Sequence, residues 1–177
     1  IIVKKNIPSK AGLGGGSMNA ATVLKFLIKK KFIKTSKKVI HEICNLIGTD
    51  VVLGIYSNNL ILKSNGVIKK FLIKKNIFTL VVKPSFGCST KNIYARVKKF
   101  KKAKFNQPKK SMFNLDFLKK MNNDLEPIVL NRYPKLKTLK KFLEKLPQVE
   151  FVRMTGSGST IIAYFKSYKI CKDAEKK

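Results

Sequence analysis

Pro8-Ser9-Lys10-Ala11-Gly12-Leu13-Gly14-Gly15-Gly16-Ser17-Met18-Asn19-Ala20-Ala21 places four glycines in five residues between an apolar run and a run of helix formers. Upstream, Ile1-Ile2-Val3 and Ile7 are β-branched residues suited to a strand, and downstream Ala20 to Ile28 suits a helix. A strand, a glycine loop and a helix in that order shape a backbone to receive phosphate. Glycine permits positive φ and admits a ligand where a Cβ would intrude, while the N–H groups of a helix start face an anion. A nucleoside triphosphate is the natural candidate.

Two common phosphate loops do not fit the letters. A P-loop needs Lys and then Ser or Thr after its last glycine, whereas Gly16 is followed by Ser17 and Met18. The dinucleotide fingerprint needs a third glycine at position 17, which is serine. A glycine-rich turn that caps a helix through Ser17 and binds nothing is the plain alternative. Four glycines weigh against it, because each adds to the entropy lost on folding.

Further along, Val39, Ile40, Ile43, Leu46 and Ile47 fall at helical spacing in a run from Ser36 to Ile47, and Gly48 stands where a helix C-cap belongs. Asp50 follows it, one of only nine acidic residues. Taken alone, an Asp there most often caps the next turn. Asn59 to Lys63 and Val67 to Ile73 read as a strand pair, Ile77 to Val82 as a strand, and Val149 to Met154 and Thr160 to Phe165 as a hairpin around Gly156-Ser157-Gly158. Helices are expected at Leu115 to Met121, Leu125 to Asn131 and Leu136 to Leu146. The run Lys98-Lys99-Phe100-Lys101-Lys102-Ala103-Lys104, leading to Pro108, reads as an exposed connection. Without a regular βα alternation or an internal repeat, the mixture argues for α+β layers.

The loop Pro-x-x-Ala-Gly-Leu-Gly-Gly-Gly-Ser, followed by Asn-Ala-Ala, resembles the ATP-binding loop of the GHMP kinase superfamily. Four further motifs follow in order: Gly48-Thr49-Asp50-Val51, Lys83-Pro84 with Ser89-Thr90, Asn123-Asp124-Leu125-Glu126, and Arg153-Met154-Thr155-Gly156-Ser157-Gly158-Ser159-Thr160. Two departures stand out. Met18 replaces a second serine, and the proline expected after Val51 is absent.

The resemblance implies a two-domain GHMP kinase fold of α+β class, lacking its N-terminal segment. Residues 1–74 would end an ATP-binding part like domain 2 of ribosomal protein S5, and residues 75–177 would form a ferredoxin-like α/β part. It implies ATP as co-substrate with Mg²⁺, whose ligands the letters leave open. ATP would be held by Pro8, Ser9, Lys10, Ala11, Gly12, Leu13, Gly14, Gly15, Gly16, Ser17, Met18, Gly156, Ser157 and Gly158. Asp50 becomes the base that takes the proton from the substrate hydroxyl. Thr90 and Tyr94 would face a cytidine, Tyr94 either stacking on the base or packing into the core.

The Gly-Gly-Gly-Ser form points to the branch of the family in the non-mevalonate isoprenoid pathway, which phosphorylates the 2-hydroxyl of CDP-methylerythritol. Another GHMP small-molecule kinase, or a degenerate relative that binds nucleotide without catalysis, is the near alternative. Family members carry a segment before the glycine loop with a catalytic lysine and part of the cytidine pocket. A chain opening on Ile1 inside an apparent strand is therefore expected to be inactive or poorly folded alone.

Composition sets the outer limits. A chain of 177 residues with 44% apolar content can bury one good core or two small ones. No apolar run is long enough to span a bilayer. Cys44, Cys88 and Cys171 are too scattered for a zinc site or a disulfide framework, which suits a reduced cytoplasm, and His41 receives no role. The net charge of +30 raises a nucleic-acid-binding module as the rival from another class. Only Arg96, Arg132 and Arg153 among 39 basic residues are arginine, and base-reading surfaces favour arginine. The expectation is a solvated lysine surface, with no nucleic acid or membrane as partner.

Overall fold

The structure, a computed structural model, describes every residue except Ile1, Val3, Lys5, Lys74, Lys75, Phe100, Lys101, Ala103, Lys104 and Asn106. Much of the expected first strand and of the dense lysine run therefore lies outside the described residues. Ile2 is fully exposed and Ile7 sits in a bend, so the described part of that stretch carries no strand. Two compact units emerge: a smaller one of Gly14–Lys74 with Lys102–Lys110, and a larger one of Ile1–Leu13, Lys75–Lys101 and Ser111–Lys177.

The smaller unit opens with α1 (Gly15–Lys29), followed by α2 (Lys37–Ile47), α3 (Val51–Ile55), β1 (Asn59–Leu62) and β2 (Ile68–Phe71). Its core joins Ala21 and Leu24 of α1 to Cys44 of α2 and to Val51 and Val52 of α3. Close approach of α1 and α3 depends on Gly54, where a Cβ would come within 3.0 Å of the Met18 sulfur and closer still to the Ala21 methyl. Ser36 caps α2 by accepting from the Val39 N–H.

One expectation for α2 needs correction. Of the five apolar residues assigned to one face, Ile40 and Ile43 turn inward beside Cys44, while Val39, Leu46 and Ile47 are exposed. The helix buries a stripe narrower than its composition suggests. Gly48 is the C-cap, as expected, its N–H donating to the Cys44 carbonyl at 2.9 Å. The strands β1 and β2 pair antiparallel from Asn59 opposite Phe71 to Leu62 opposite Ile68.

In the larger unit, β3 (Phe78–Val82), β4 (Phe151–Met154) and β5 (Ile161–Phe165) make an antiparallel sheet in the order β3-β5-β4. Between β3 and β4 run α4 (Thr90–Tyr94), α5 (Leu115–Lys120), α6 (Glu126–Arg132) and α7 (Pro134–Glu144), and α8 (Tyr168–Glu175) follows β5. Period-two alternation points Val152, Met154, Ile161, Ala163 and Phe165 to one face, where Val129, Leu136, Leu143 and Ala174 from the helices cover them. Burying Phe165, 1% exposed, contributes about 1.5–3 kcal/mol. On the other face Phe151 stacks on Tyr164 with ring centroids 4.1 Å apart. Proline at the start of α7 costs no hydrogen bond, because that N–H has no partner within the helix.

Candidate active site

Three segments of the larger unit meet at the loop joining β4 to β5. Thr155 closes that loop by pairing its N–H with the Thr160 carbonyl at 3.0 Å, and the Gly158 N–H returns to the Thr155 carbonyl at 3.0 Å. The stretch Pro8–Leu13 lies against it. The Thr160 N–H donates to the Ala11 carbonyl at 3.0 Å and the Thr155 hydroxyl to the Gly12 carbonyl at 3.1 Å. Gly12 has φ 73°, and a Cβ there would collide with the Thr155 carbonyl oxygen and lie 2.9 Å from both Gly158 N and O. Only glycine fits.

The third segment is Lys83–Thr90. The Cys88 N–H donates to the Lys10 carbonyl at 3.0 Å, and the Ser159 hydroxyl to the Phe86 carbonyl at 2.6 Å. The hydroxyls of Thr90 and Ser157 are 2.8 Å apart. Lys83 turns its ammonium onto the carbonyls of Pro84, at 2.7 Å, and Phe86, at 3.2 Å, which fixes the turn between β3 and Cys88. Burial pushes the Cys88 thiol up, with Lys83 pulling the other way. Thus Thr90, Ser157, Gly156, Gly158 and residues 10–12 are gathered in one place. Tyr94 ends α4 with 57% of its surface exposed, so packing into the core is not its role.

The Asn-Asp-Leu-Glu motif anchors the end of β4 and the start of its loop. Asn123 donates its two amide hydrogens to the carbonyls of Met154, at 2.9 Å, and Gly156, at 2.8 Å, while its oxygen accepts from the Leu125 N–H at 3.0 Å. Glu126, 9% exposed, accepts from the Met154 N–H at 2.7 Å and pairs with Lys140. Burial alone would lower the Lys140 ammonium's pKa, but Glu126, with Glu144 at 3.4 Å, outweighs it and holds the value above the usual lysine range. The signal in the letters was the Asn-Asp-Leu-Glu motif itself, followed by Pro127.

The other half of the glycine loop begins the smaller unit. Gly14, with φ 67° and ψ 15°, turns the chain into α1, whose first internal bond runs from the Met18 N–H to the Gly14 carbonyl at 2.9 Å. The helix thus starts at Gly15 and not near Ala20. Its first-turn amides at Gly15, Gly16 and Ser17 have no acceptor within the helix, which is why poor helix formers are tolerated there. Ser17 lies inside the first turn, and no side chain caps the helix. A Cβ on Gly14 or Gly16 would meet nothing within 4 Å. Met18, the departure from the family serine, lies against Gly54.

Asp50 stands at the N-cap position of α3, exposed, with no side-chain bond to the helix. Its carboxylate is therefore not spent on capping. Among the described residues no group of three or more His, Cys, Asp or Glu could hold a metal ion. No described helix is long and apolar enough to cross a membrane.

A glycine-rich stretch held by backbone hydrogen bonds against a second glycine loop, in a chain of α+β class, is an arrangement that can receive phosphate. Profiles of known families make this specific: "GHMP kinases N terminal domain" matches residues 1–58 and "GHMP kinases C terminal" matches residues 97–170. The chain belongs to the GHMP kinase family.

It is 55% identical over 174 residues to a Pelagibacter ubique protein named 4-diphosphocytidyl-2-C-methyl-D-erythritol kinase, covering 98% of this chain and 62% of the relative. Proteins of the same name from Clostridium perfringens and Thermodesulfovibrio yellowstonii are 36% and 33% identical, covering 93% and 94% of this chain and 59% and 62% of theirs. The chain thus spans about three fifths of the length of these relatives. A crystal structure of 4-(cytidine 5'-diphospho)-2C-methyl-D-erythritol kinase superposes with TM-score 0.75 at 23% identity, over 98% of this chain and 64% of that one. The fold is shared with it.

Proposed function

We propose that the polypeptide carrying this chain is an ATP-dependent kinase that phosphorylates the 2-hydroxyl of CDP-methylerythritol in non-mevalonate isoprenoid synthesis. The observation that carries this reading is the 55% identity, across 98% of the chain, to a protein of that name. In this scheme the backbone amides from Pro8 to Met18, with Gly156, Ser157 and Gly158, hold the ATP phosphates, and Asp50 serves as base. The substrate oxygen bonds to the γ-phosphorus, the bond from that phosphorus to the β–γ bridging oxygen breaks, ADP leaves, and the hydroxyl proton passes to Asp50. Mg²⁺ bound to the nucleotide supplies charge neutralisation.

Thr90 and the exposed Tyr94 ring face the cytidine end, with Tyr94 as the stacking platform. The ATP-binding part ends near Lys74, itself outside the described residues, and the C-terminal part follows. The lysine-rich surface is solvated and does not bind nucleic acid, and the setting is cytoplasmic.

The test is an assay of ADP release by the full polypeptide that carries this chain, with CDP-methylerythritol, mevalonate or homoserine offered in turn. Release that depends on CDP-methylerythritol is expected. Release with mevalonate or homoserine instead assigns a sister kinase. Tight, steeply salt-dependent RNA binding without ADP release assigns the basic module.

A further inference from the structure

We infer that Asn123 is a positioning residue for nucleotide, acting through the Gly156-Ser157-Gly158 loop. This rests on the proposed role of that loop in holding ATP. The amide of Asn123 is fully employed: both hydrogens go to carbonyls on either side of Thr155, those of Met154 and Gly156, and the oxygen accepts from the Leu125 N–H. One rigid plane therefore fixes the direction of two peptide units. Glu126, three residues on, holds the N–H of the same Met154 and is itself held by Lys140, so the last residue of β4 is gripped at both its donor and its acceptor.

The loop leaves β4 with its first two peptides already oriented, and the Thr155 hydroxyl hands that orientation to Gly12. From the opposite side, Ser159 ties the loop to Phe86, whose carbonyl Lys83 also holds. Backbone amides bind phosphate only when they point at it before it arrives, and Asn123 supplies that pre-orientation without touching the ligand.

Asn123→Asp and Asn123→Ala separate positioning from packing. Aspartate keeps the shape but sets a carboxylate oxygen against two carbonyls, whereas alanine removes the group. A packing role makes alanine the worse variant; a positioning role makes aspartate the worse one. In the full polypeptide, KM for ATP is expected to rise about tenfold in Asn123→Ala and further in Asn123→Asp, the size of one or more lost neutral hydrogen bonds. KM for the acceptor alcohol should rise less than KM for ATP, since of the proposed acceptor contacts only Thr90 touches the loop, through Ser157.

Amide hydrogen exchange of residues 155–158 in nucleotide-free protein should quicken in the same order. A larger effect from alanine than from aspartate, or unchanged KM for ATP, overturns the inference. Should aspartate prevent folding, Asn123→Ser, which retains one donor, must be milder than Asn123→Ala, and the reverse order overturns it too. If the unaltered enzyme turns over no ATP, the functional reading has failed. The exchange rates then decide by themselves whether Asn123 holds the loop.

Discussion

Thr155 donates its hydroxyl to the carbonyl oxygen of Gly12, joining positions 143 apart in the sequence. The Thr160 N–H to Ala11 bond lies beside it, so two segments from opposite ends of the chain share one short backbone contact. No side chain separates them, because Gly12 has none. A Gly12→Ala variant places a methyl on the Thr155 carbonyl in a backbone conformation that L residues avoid. It should lose about 1–3 kcal/mol in urea unfolding. Gly16→Ala, with open space and a helical backbone, should gain up to about 1 kcal/mol in the same assay. Equal effects from both would mean that the close approach at Gly12 is not required.

Much of this was legible in the letters, for a reason that also sets its limit. The strands at Phe78–Val82 and Ile161–Phe165 announced themselves as short runs rich in β-branched and aromatic residues, and α7 by its period, because those signals are local. What failed was decided by the backbone freedom of glycine or by neighbours distant in sequence. The start of α1 moved to Gly15 because Gly14 turns the chain there, and Leu46 was left exposed because α2 meets its partners only through Ile40, Ile43 and Cys44. Asn123 was visible as a motif, but its bonds reach positions 31 and 33 residues away. No periodicity records them.

Asp50 is exposed and unbonded to α3, so its replacement tests chemistry with little disturbance of the fold. Asp50→Asn should change unfolding free energy by less than about 0.5 kcal/mol. Turnover should fall by about 10²–10⁴, the usual contribution of a general base, with nucleotide affinity within about twofold. Turnover near the unaltered rate would remove Asp50 from the role of base.

Thr90 and Ser157 meet at 2.8 Å, Ser157 being buried at 7% exposure. Thr90→Val keeps the shape but takes away the partner of a buried hydroxyl, which should cost about 1–3 kcal/mol. Thr90→Ser, which keeps the hydroxyl, should recover most of it. Differential scanning calorimetry on the pair is the measurement. Equal losses in both variants would assign the cost to the methyl group and not to the hydrogen bond.

Cys44 and Cys88 are fully buried, and burial pushes both thiols up from their ordinary value. Cys171 is only half-buried, though burial and Glu175 raise its thiol as well. Because the thiolate is the reactive species, iodoacetamide at about pH 8 should modify Cys171 first and reach the other two only after unfolding. Mass spectrometry of tryptic peptides follows the order. Early labelling of Cys88 would show that the segment around Lys10 and Gly87 opens in the native state.

Lys140 makes the pH dependence specific. Its ammonium is held above the usual lysine range because Glu126 and Glu144 together outweigh the opposing effect of burial. A folded-state pKa above the unfolded one means that folding favours the protonated form. The stabilisation is complete below the unfolded lysine value of about 10.4 and disappears as pH climbs through the raised folded value. Comparison with Lys140→Met isolates this from the other lysines, which titrate alike in both proteins. The difference in urea midpoint should favour the unaltered protein by a constant amount from about pH 7 to pH 9 and shrink by about pH 11. The loss has one cause at each end: in the variant, or in the alkaline protein, Glu126 is left to hold the Met154 N–H with no cation beside it. A difference that stays level through alkaline pH would show that Lys140 stabilises by packing its alkyl stem and not by its charge.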